Sequence, residues 1–339
     1  MIGYYVHHQG RGHLHRAVAV AAHIREPVTV LSSLPRPAQW DTPWIVLPPD
    51  SVDAPDDPTA RGRLHWVPLR HAGHRERMGR IAEWIRRTEP RLFVSDVSVE
   101  AATLARLMGT PVVVAAMRGD RSDEAHRLAY DLADALLAPW PRSCPEPGWP
   151  PQWKAKTLHT GSISRYDGRP RHARGSGRDA SRREVAVLLG GGGTDLSSTQ
   201  LREAARATPG WTWTVLGGPG ADWVEDPWPV LCRADVVVTH AGQNAVAECA
   251  AARVPTVVIP QNRPHGEQHA TARALRTAGL ATVRDAWPEP RAWAGLLAEA
   301  AARQDRWELW SPGDGARQAA RLLTGLAGGT RERIACAPR

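Results

Sequence analysis

Residues 235–268 of this 339-residue chain set polar side chains at spacings that can do chemistry. They read His240-x-Gly242-x-Asn244-x-x-x-Glu248, followed after a second apolar run by Glu267-Gln268. Val236-Val237-Val238 predicts a strand, Gln243 to Ala252 a helix, and Val254 to Ile259 a second strand. The polar groups therefore gather at strand C-terminal ends, where open parallel sheets bind ligands. A helix starting at Gln243 offers unpaired N–H groups and the positive end of its dipole, a setting for a diphosphate. Glu248 falls one turn beyond Asn244 on the same face, about 6 Å along the axis. A carboxylate there repels phosphate but accepts hydrogen bonds from both hydroxyls of an attached ribose. Without a ligand the segment is an ordinary strand–helix–strand unit with a capped helix. The small residues Cys249, Ala250 and Ala251 beside Glu248 favour a packed carboxylate with a bound partner.

Two glycine loops accompany it. Gly10-Arg11-Gly12-His13-Leu14-His15-Arg16 follows the first strand, but it fails as a dinucleotide fingerprint. His15 stands where the third glycine belongs, and the second strand ends in Ser32-Ser33 where a ribose-binding acid is needed. Gly190-Gly191-Gly192-Gly193-Thr194-Asp195 sits between a strand and a helix. Consecutive N–H groups there can form an anion nest, with the Thr194 hydroxyl as a further donor to phosphate; the plain alternative is a permissive turn.

The spaced His240, Gly242, Asn244 and Glu248 with Glu267-Gln268 resemble the donor motif of nucleotide-sugar glycosyltransferases of the GT-B fold. The likeness is to the plant-type transferases and to the MurG-like group with its family 28 C-terminal domain. The pattern Gly10-x-Gly12-His13-x-x-Arg16 is similar to the N-terminal loop of MurG-like enzymes and of PseG-like nucleotide-sugar hydrolases. The resemblance implies two Rossmann-like α/β domains whose parallel sheets face each other across a cleft. It implies a nucleotide-diphosphate sugar, UDP- or dTDP-linked, held around Gly12, Gly191, Gly192, Thr194, His240, Ala241, Gly242, Gln243 and Asn244. Glu248 would take the ribose, Glu267 and Gln268 the sugar hydroxyls, and backbone near Val230 and Leu231 the base. His13 becomes the candidate general base, since an imidazole accepts a proton at neutral pH. The alternatives are that His13 only caps its helix, or that His7, His8 or His15 acts instead. Asp96, ending a strand, and Asp120, after Arg118-Gly119, are candidates either for the base itself or for orienting His13.

The implied reaction is inverting transfer of the sugar to an acceptor hydroxyl, with no metal and no cofactor. No Asp-x-Asp follows a strand, no His/Cys spacing suits a metal, and no Gly-x-Ser-x-Gly elbow marks a hydrolase triad. A nucleotide-sugar hydrolase, with water as nucleophile, is the first alternative. A basic nucleic-acid-binding protein is the second, although the basic residues are dispersed and no RRM or KH motif is present.

Composition sets the frame. Charged residues make up 23% and hydrophobic ones 42% of the chain, as in a soluble globular protein of two domains. The net charge is +8, yet only Lys154 and Lys156 are lysines; 29 Pro, 15 Trp and one Phe accompany the arginines, the pattern of a GC-rich genome. Four cysteines without CxxC spacing suit reduced thiols, and no apolar run approaches a membrane span. We therefore expect a cytoplasmic enzyme, with room for a peripheral contact at the inner membrane face and no nucleic-acid partner. The acceptor is expected on the N-terminal side. Arg61, Arg63, Arg70, Arg75, Arg77, Arg80, Arg86, Arg87 and Arg91, with Trp66 and Trp84, form either an anion-binding surface there or a solvated helix face.

Apolar runs alternating with helical patterns predict parallel α/β structure in both halves. The expected division is an acceptor-side domain over 1–155, a linker over 156–184 and a nucleotide-sugar domain over 185–312. A last helix and tail over 313–339 are placed to cross back to the first domain.

Overall fold

The computed structural model describes residues 1–8, 12–38, 40–171, 183–190, 193–218 and 224–329. The chain forms two compact units. One comprises residues 1–139, 147–160 and 316 onward, the other 140–146 and 161–315.

The first unit runs β1 (Ile2–Val6), α1 (Gly12–Ala21), β2 (Val28–Ser32), β3 (Trp44–Val46), α2 (Ala72–Thr88), β4 (Leu92–Asp96), α3 (Val99–Leu107), β5 (Val112–Ala115), α4 (Glu124–Leu132), β6 (Ala135–Ala138), α5 (Pro151–Ala155) and β7 (Thr157–His159). Its seven strands are all parallel, in the order β3-β2-β1-β4-β5-β6-β7. Most of these strands are short continuous apolar runs, such as VVVA in β5, buried along their whole length. That pattern belongs to a parallel sheet covered on both faces. Each fully buried valine, leucine or isoleucine contributes about 1.5–3 kcal/mol, so the sheet holds the unit and the loops are free for chemistry. The strand order reverses between β1 and β4, and the register sets Val6 beside Asp96. The loops leaving these two strands are therefore neighbours at the switch point, where such sheets bind ligands.

Helix starts follow local chemistry. Ser98 and Asp123 accept backbone hydrogen bonds from Ala101 and His126 and so open α3 and α4. The last helix, α11 (Gly315–Ala327), belongs from Ala316 onward to this first unit, and Thr324 Oγ1 donates to Glu26 Oε2 at 3.0 Å.

The arginine-rich segment does not form one basic face. Arg77 is fully buried and donates to Tyr5 Oη at 2.9 Å, Pro48 O at 2.9 Å and Asp50 Oδ1 at 3.1 Å. Arg80 pairs with Glu76 and Arg86 with Glu83 along α2, while Trp84 packs inward.

The second unit runs β8 (Arg183–Leu188), α6 (Ser198–Arg206), β9 (Trp211–Leu216), α7 (Trp228–Arg233), β10 (Val236–Thr239), α8 (Gln243–Ala252), β11 (Thr256–Val258), α9 (Glu267–Thr277), β12 (Thr282–Val283) and α10 (Trp293–Ala301). Its parallel order is β12-β11-β10-β8-β9, with the switch point between β8 and β10. Val185, Val187, Val236, Val238, Val257, Trp293 and Leu297 fill one side of this sheet. Two parallel sheets with interleaved helices are the α/β architecture expected. Glu267-Gln268 open α9 instead of ending a loop, because His265 and Gly266, both at φ 62°, turn the chain into a helix start. Of the glycine loops, Gly10, Arg11, Gly191 and Gly192 lie outside the described residues, as does 172–182 of the expected linker. No helix among the described residues is long and apolar enough to cross a membrane.

Candidate functional site

At the switch point of the first unit, three side chains form one polar cluster. The His13 ring, 20% exposed on the first turn of α1, places Nδ1 2.8 Å from Asp96 Oδ1. Arg16, one turn on, donates through Nε to Asp96 Oδ2 at 3.1 Å and through Nη2 to Oδ1. Asp96 is wholly buried at the end of β4. Burial alone would raise its pKa, but the Arg16 guanidinium and the His13 imidazole outweigh that and hold it well below the usual carboxylate range. Arg16 Nη2 also lies 3.1 Å from Nδ1; in the tautomer that carries its proton on Nδ1, that nitrogen donates to the ionised Asp96 and Nε2 keeps its lone pair. No hydrogen bond occupies Nε2 among the described residues. A carboxylate that fixes the tautomer of a partly exposed imidazole is the arrangement of a general base and its orienting group.

The rival candidates are placed differently. His7 stacks on His8 at 4.8 Å and meets His13 edge-on at 5.8 Å between ring centroids. Burial, reinforced by the neighbouring imidazoles, pushes His7 down to about 3, so it stays neutral and is a poor proton acceptor. Asp120 is exposed, and its Oδ1 accepts the Ser122 N–H at 2.9 Å. The carboxylate on His13 is that of Asp96.

Unit 1 also gathers His65, Asp123 and His126, which no sequence spacing announced. His126 Nδ1 donates to Asp123 Oδ2 at 2.6 Å and Arg121 Nη1 lies 3.3 Å from Nε2. Both ring nitrogens are thus engaged and a cation adjoins the group, which makes it a buttressed helix cap and not a ready metal site. Acid sensitivity follows. Burial first, then Arg121, pushes His126 down to about 4, against about 6.5 for an unfolded histidine. His7 and His126 are neutral when folded but take up protons when unfolded below about pH 6.5, so stability falls as pH drops through that window. Each group adds a slope of up to about 1.4 kcal/mol per pH unit there. Thermal melts should show Tm falling from pH 7 to pH 5, and His126→Gln or His7→Gln should flatten the fall.

At the switch point of the second unit, the turn His240-Ala241-Gly242 leads into α8 with Gly242 as a cap that makes no side-chain hydrogen bond. The cap residue itself supplies no side chain to the first turn. Among the described residues, a Cβ on Gly242 would come within 4 Å only of Gln268 Nε2, at 3.9 Å, so Gln268 stands beside the start of α8. Gln268 is buried and accepts the Gln261 N–H at 2.9 Å. Ala241 is buried, and Asn244 half-buried on the exposed side of the turn.

His240 Nδ1 donates to Ile259 O at 3.1 Å, which leaves Nε2 to accept from the Thr194 hydroxyl at 3.0 Å. Thr194 Oγ1 also accepts from Leu196 N and from Gln261 Nε2, both at 3.1 Å. The Thr194 proton is thus committed to His240 instead of being held out for a phosphate, and burial lowers the His240 pKa and keeps it neutral.

Glu248 faces inward on α8 with its side chain 8% exposed, and Oε1 accepts from Arg165 Nε at 2.9 Å. Burial raises the Glu248 pKa, and Arg165 works against that rise. Arg165 Nη1 donates to Glu225 O at 3.1 Å and its guanidinium lies 4.8 Å from the centre of the Tyr166 ring. Sequence reasoning missed Arg165, which stands in an aperiodic stretch whose only signal is a lone cation.

The Val230-Leu231 expectation meets a physical obstacle. Both residues lie on α7, both N–H groups donate to Pro227 O, and Leu231 is fully buried. The backbone that Arg165 ties to Glu248 is instead that of Glu225.

Residues 226–286 match the glycosyltransferase family 28 C-terminal domain. Among known proteins, the chain is 26% identical over 277 residues to an uncharacterised glycosyltransferase of Methanopyrus kandleri, covering 71% of this chain and 77% of that one. A 100-residue stretch is 33% identical to the UDP-N-acetylglucosamine–N-acetylmuramyl-(pentapeptide) pyrophosphoryl-undecaprenol N-acetylglucosamine transferase of Serratia proteamaculans, covering 30% of this chain and 27% of that protein. Solved structures share the fold. The glycotransferase of kitacinnamycin superimposes with a TM-score of 0.63 at 17% identity, covering 97% of this chain and 96% of that one. MurG of Acinetobacter baumannii gives 0.60 at 17% identity, with 97% and 99% covered. The spinosyn rhamnosyltransferase SpnG, complexed with thymidine diphosphate, gives 0.56 at 16% identity, with 97% and 96% covered. The fold is GT-B, the matched C-terminal segment is that of a glycosyltransferase, and the chain is similar to the MurG-like group.

Proposed function

We propose that the chain transfers a sugar, with inversion and without a metal, from a nucleotide-diphosphate donor, UDP- or dTDP-linked, to an acceptor hydroxyl. The observation that carries the reading is that each unit, taken by itself, has a polar site at its switch point. One unit offers an oriented imidazole and the other an uncapped helix start followed by a buried carboxylate. In this reading the diphosphate meets the first-turn N–H groups of α8, Glu248 Oε2 accepts from the ribose, and Glu267 and Gln268 bind the sugar. His13 Nε2 takes the proton of the acceptor hydroxyl, Asp96 stabilises the imidazolium that forms, and attack from the face opposite the leaving group inverts the anomeric carbon. SpnG, crystallised with thymidine diphosphate, supports a nucleoside-diphosphate donor on this fold.

A thermal-shift panel of UDP-, dTDP- and GDP-sugars in EDTA tests the donor. Product analysis with and without added acceptor alcohols then tests the reaction. Stabilisation by one nucleotide class and slow turnover without acceptor are expected. Rapid acceptor-independent release of free sugar would make water the nucleophile and the enzyme a hydrolase.

A further inference from the structure

We propose that Arg263 supplies the cation that receives the diphosphate leaving group, an inference that rests on the donor reading above. Arg263 follows β11, on the loop between Ile259 and α9, and its Nη2 donates to Gly193 O at 2.6 Å and to Gln261 Oε1 at 2.9 Å. Gln261 in turn donates to Thr194 Oγ1, which binds His240. The guanidinium is thereby anchored by one nitrogen to the glycine loop after β8 and sits close enough to His240 to depress its pKa further. Its Nε and Nη1 make no hydrogen bond among the described residues, and the side chain is only half-buried. Arginine is suited to this geometry, because one edge of the planar fork can be fixed while the other donors address a phosphate.

Charge bookkeeping at the site points to the same residue. His240 is neutral with both ring nitrogens engaged, and the Thr194 proton is already directed to it. Neither can answer the charge that grows during transfer. As the bond between the anomeric carbon and the β-phosphate oxygen breaks, its electron pair stays on that oxygen. The acceptor oxygen forms the new bond to the same carbon and its proton passes to His13. The diphosphate therefore gains negative charge in the transition state, and a fixed cation beside the glycine loop stabilises that state more than the ground state.

Titration of wild type, Arg263→Gln and Arg263→Lys with UDP against UMP, and dTDP against dTMP, tests this. Wild type should prefer the diphosphate; Arg263→Gln should lose about 10-fold of that preference, and Arg263→Lys should recover part of it. With a nucleotide sugar, kcat should fall about 10²-fold in Arg263→Gln. If Arg263 only pins the loop, mono- and diphosphate will weaken together and the preference will survive, which overturns the assignment. A wild type that binds no nucleotide, or binds without regard to the second phosphate, overturns the donor reading itself.

Discussion

His13→Ala should lose about 10²–10⁴-fold in turnover, the usual contribution of a positioned acid–base group, while nucleoside-diphosphate affinity stays within about twofold. The two outcomes separate because His13 belongs to the first unit and the helix start proposed to meet the diphosphate, that of α8, to the second. Asp96→Asn should lose a comparable factor for another reason. The amide no longer enforces a proton on Nδ1, so the imidazole can present the wrong tautomer to the acceptor. It also leaves Arg16, which is 3% exposed, without its counter-charge, and breaking such a buried pair costs about 3–5 kcal/mol. Asp96→Asn should therefore lower Tm as well, whereas His13→Gln, at a partly exposed ring, should not. Steady-state kinetics with melts on all three variants checks this. Near-normal turnover in His13→Ala would move the base elsewhere, and His7, held neutral well below its ordinary titration range, is a weak successor.

The second large effect is expected at Glu248. Hydrogen bonds to a charged group are worth about 1.5–3 kcal/mol, so Glu248→Ala should weaken nucleotide binding about 10–100-fold. Deoxyribonucleotides lacking one of the hydroxyls should lose less than ribonucleotides do. Glu248 is already paired through Oε1 with Arg165, which leaves Oε2 for the ligand. Because burial raises the Glu248 pKa, wild-type affinity should begin to fall on acidification at a higher pH than an exposed glutamate would dictate. Glu248→Gln should remove that pH dependence. Calorimetric titration from pH 5 to pH 8 measures both. An unchanged affinity in Glu248→Ala would place the ribose elsewhere.

What could be read in the chain followed from local physics. Continuous apolar runs such as Val112–Ala115 and Val236–Thr239 announce parallel strands, since both faces of such a sheet are covered. The cap residues of α3 and α4 and the glycine before α8 mark helix starts. The strand, turn and helix from Val236 to Ala252 were legible because their residues lie close along the chain. Contacts across long separations left no such trace. Arg165 and Glu248 are 83 residues apart, and Arg16 and Asp96 are 80 apart. Asp96 was visible as a strand-end carboxylate able to orient His13, but the sequence did not choose between it and Asp120. Arg77 gave no sign that it is the buried arginine of residues 61–91, because burial depends on Tyr5 and Asp50, which other segments bring to it. β12 has two residues, too few to show a period. The helix α7 was not legible, because the prolines at 227 and 229 disguise a helix that opens with proline near its N-terminus.

A nucleoside diphosphate is proposed to bind the second unit, across the loop after β8, the start of α8 and the start of α9. Hydrogen-exchange mass spectrometry with saturating UDP or dTDP, in EDTA, tests it most directly. The account predicts slowed exchange in peptides covering residues 193–200, 240–252 and 261–270, weakened or lost in Glu248→Ala. Unchanged exchange in those peptides, or protection confined to residues 1–139, would contradict it.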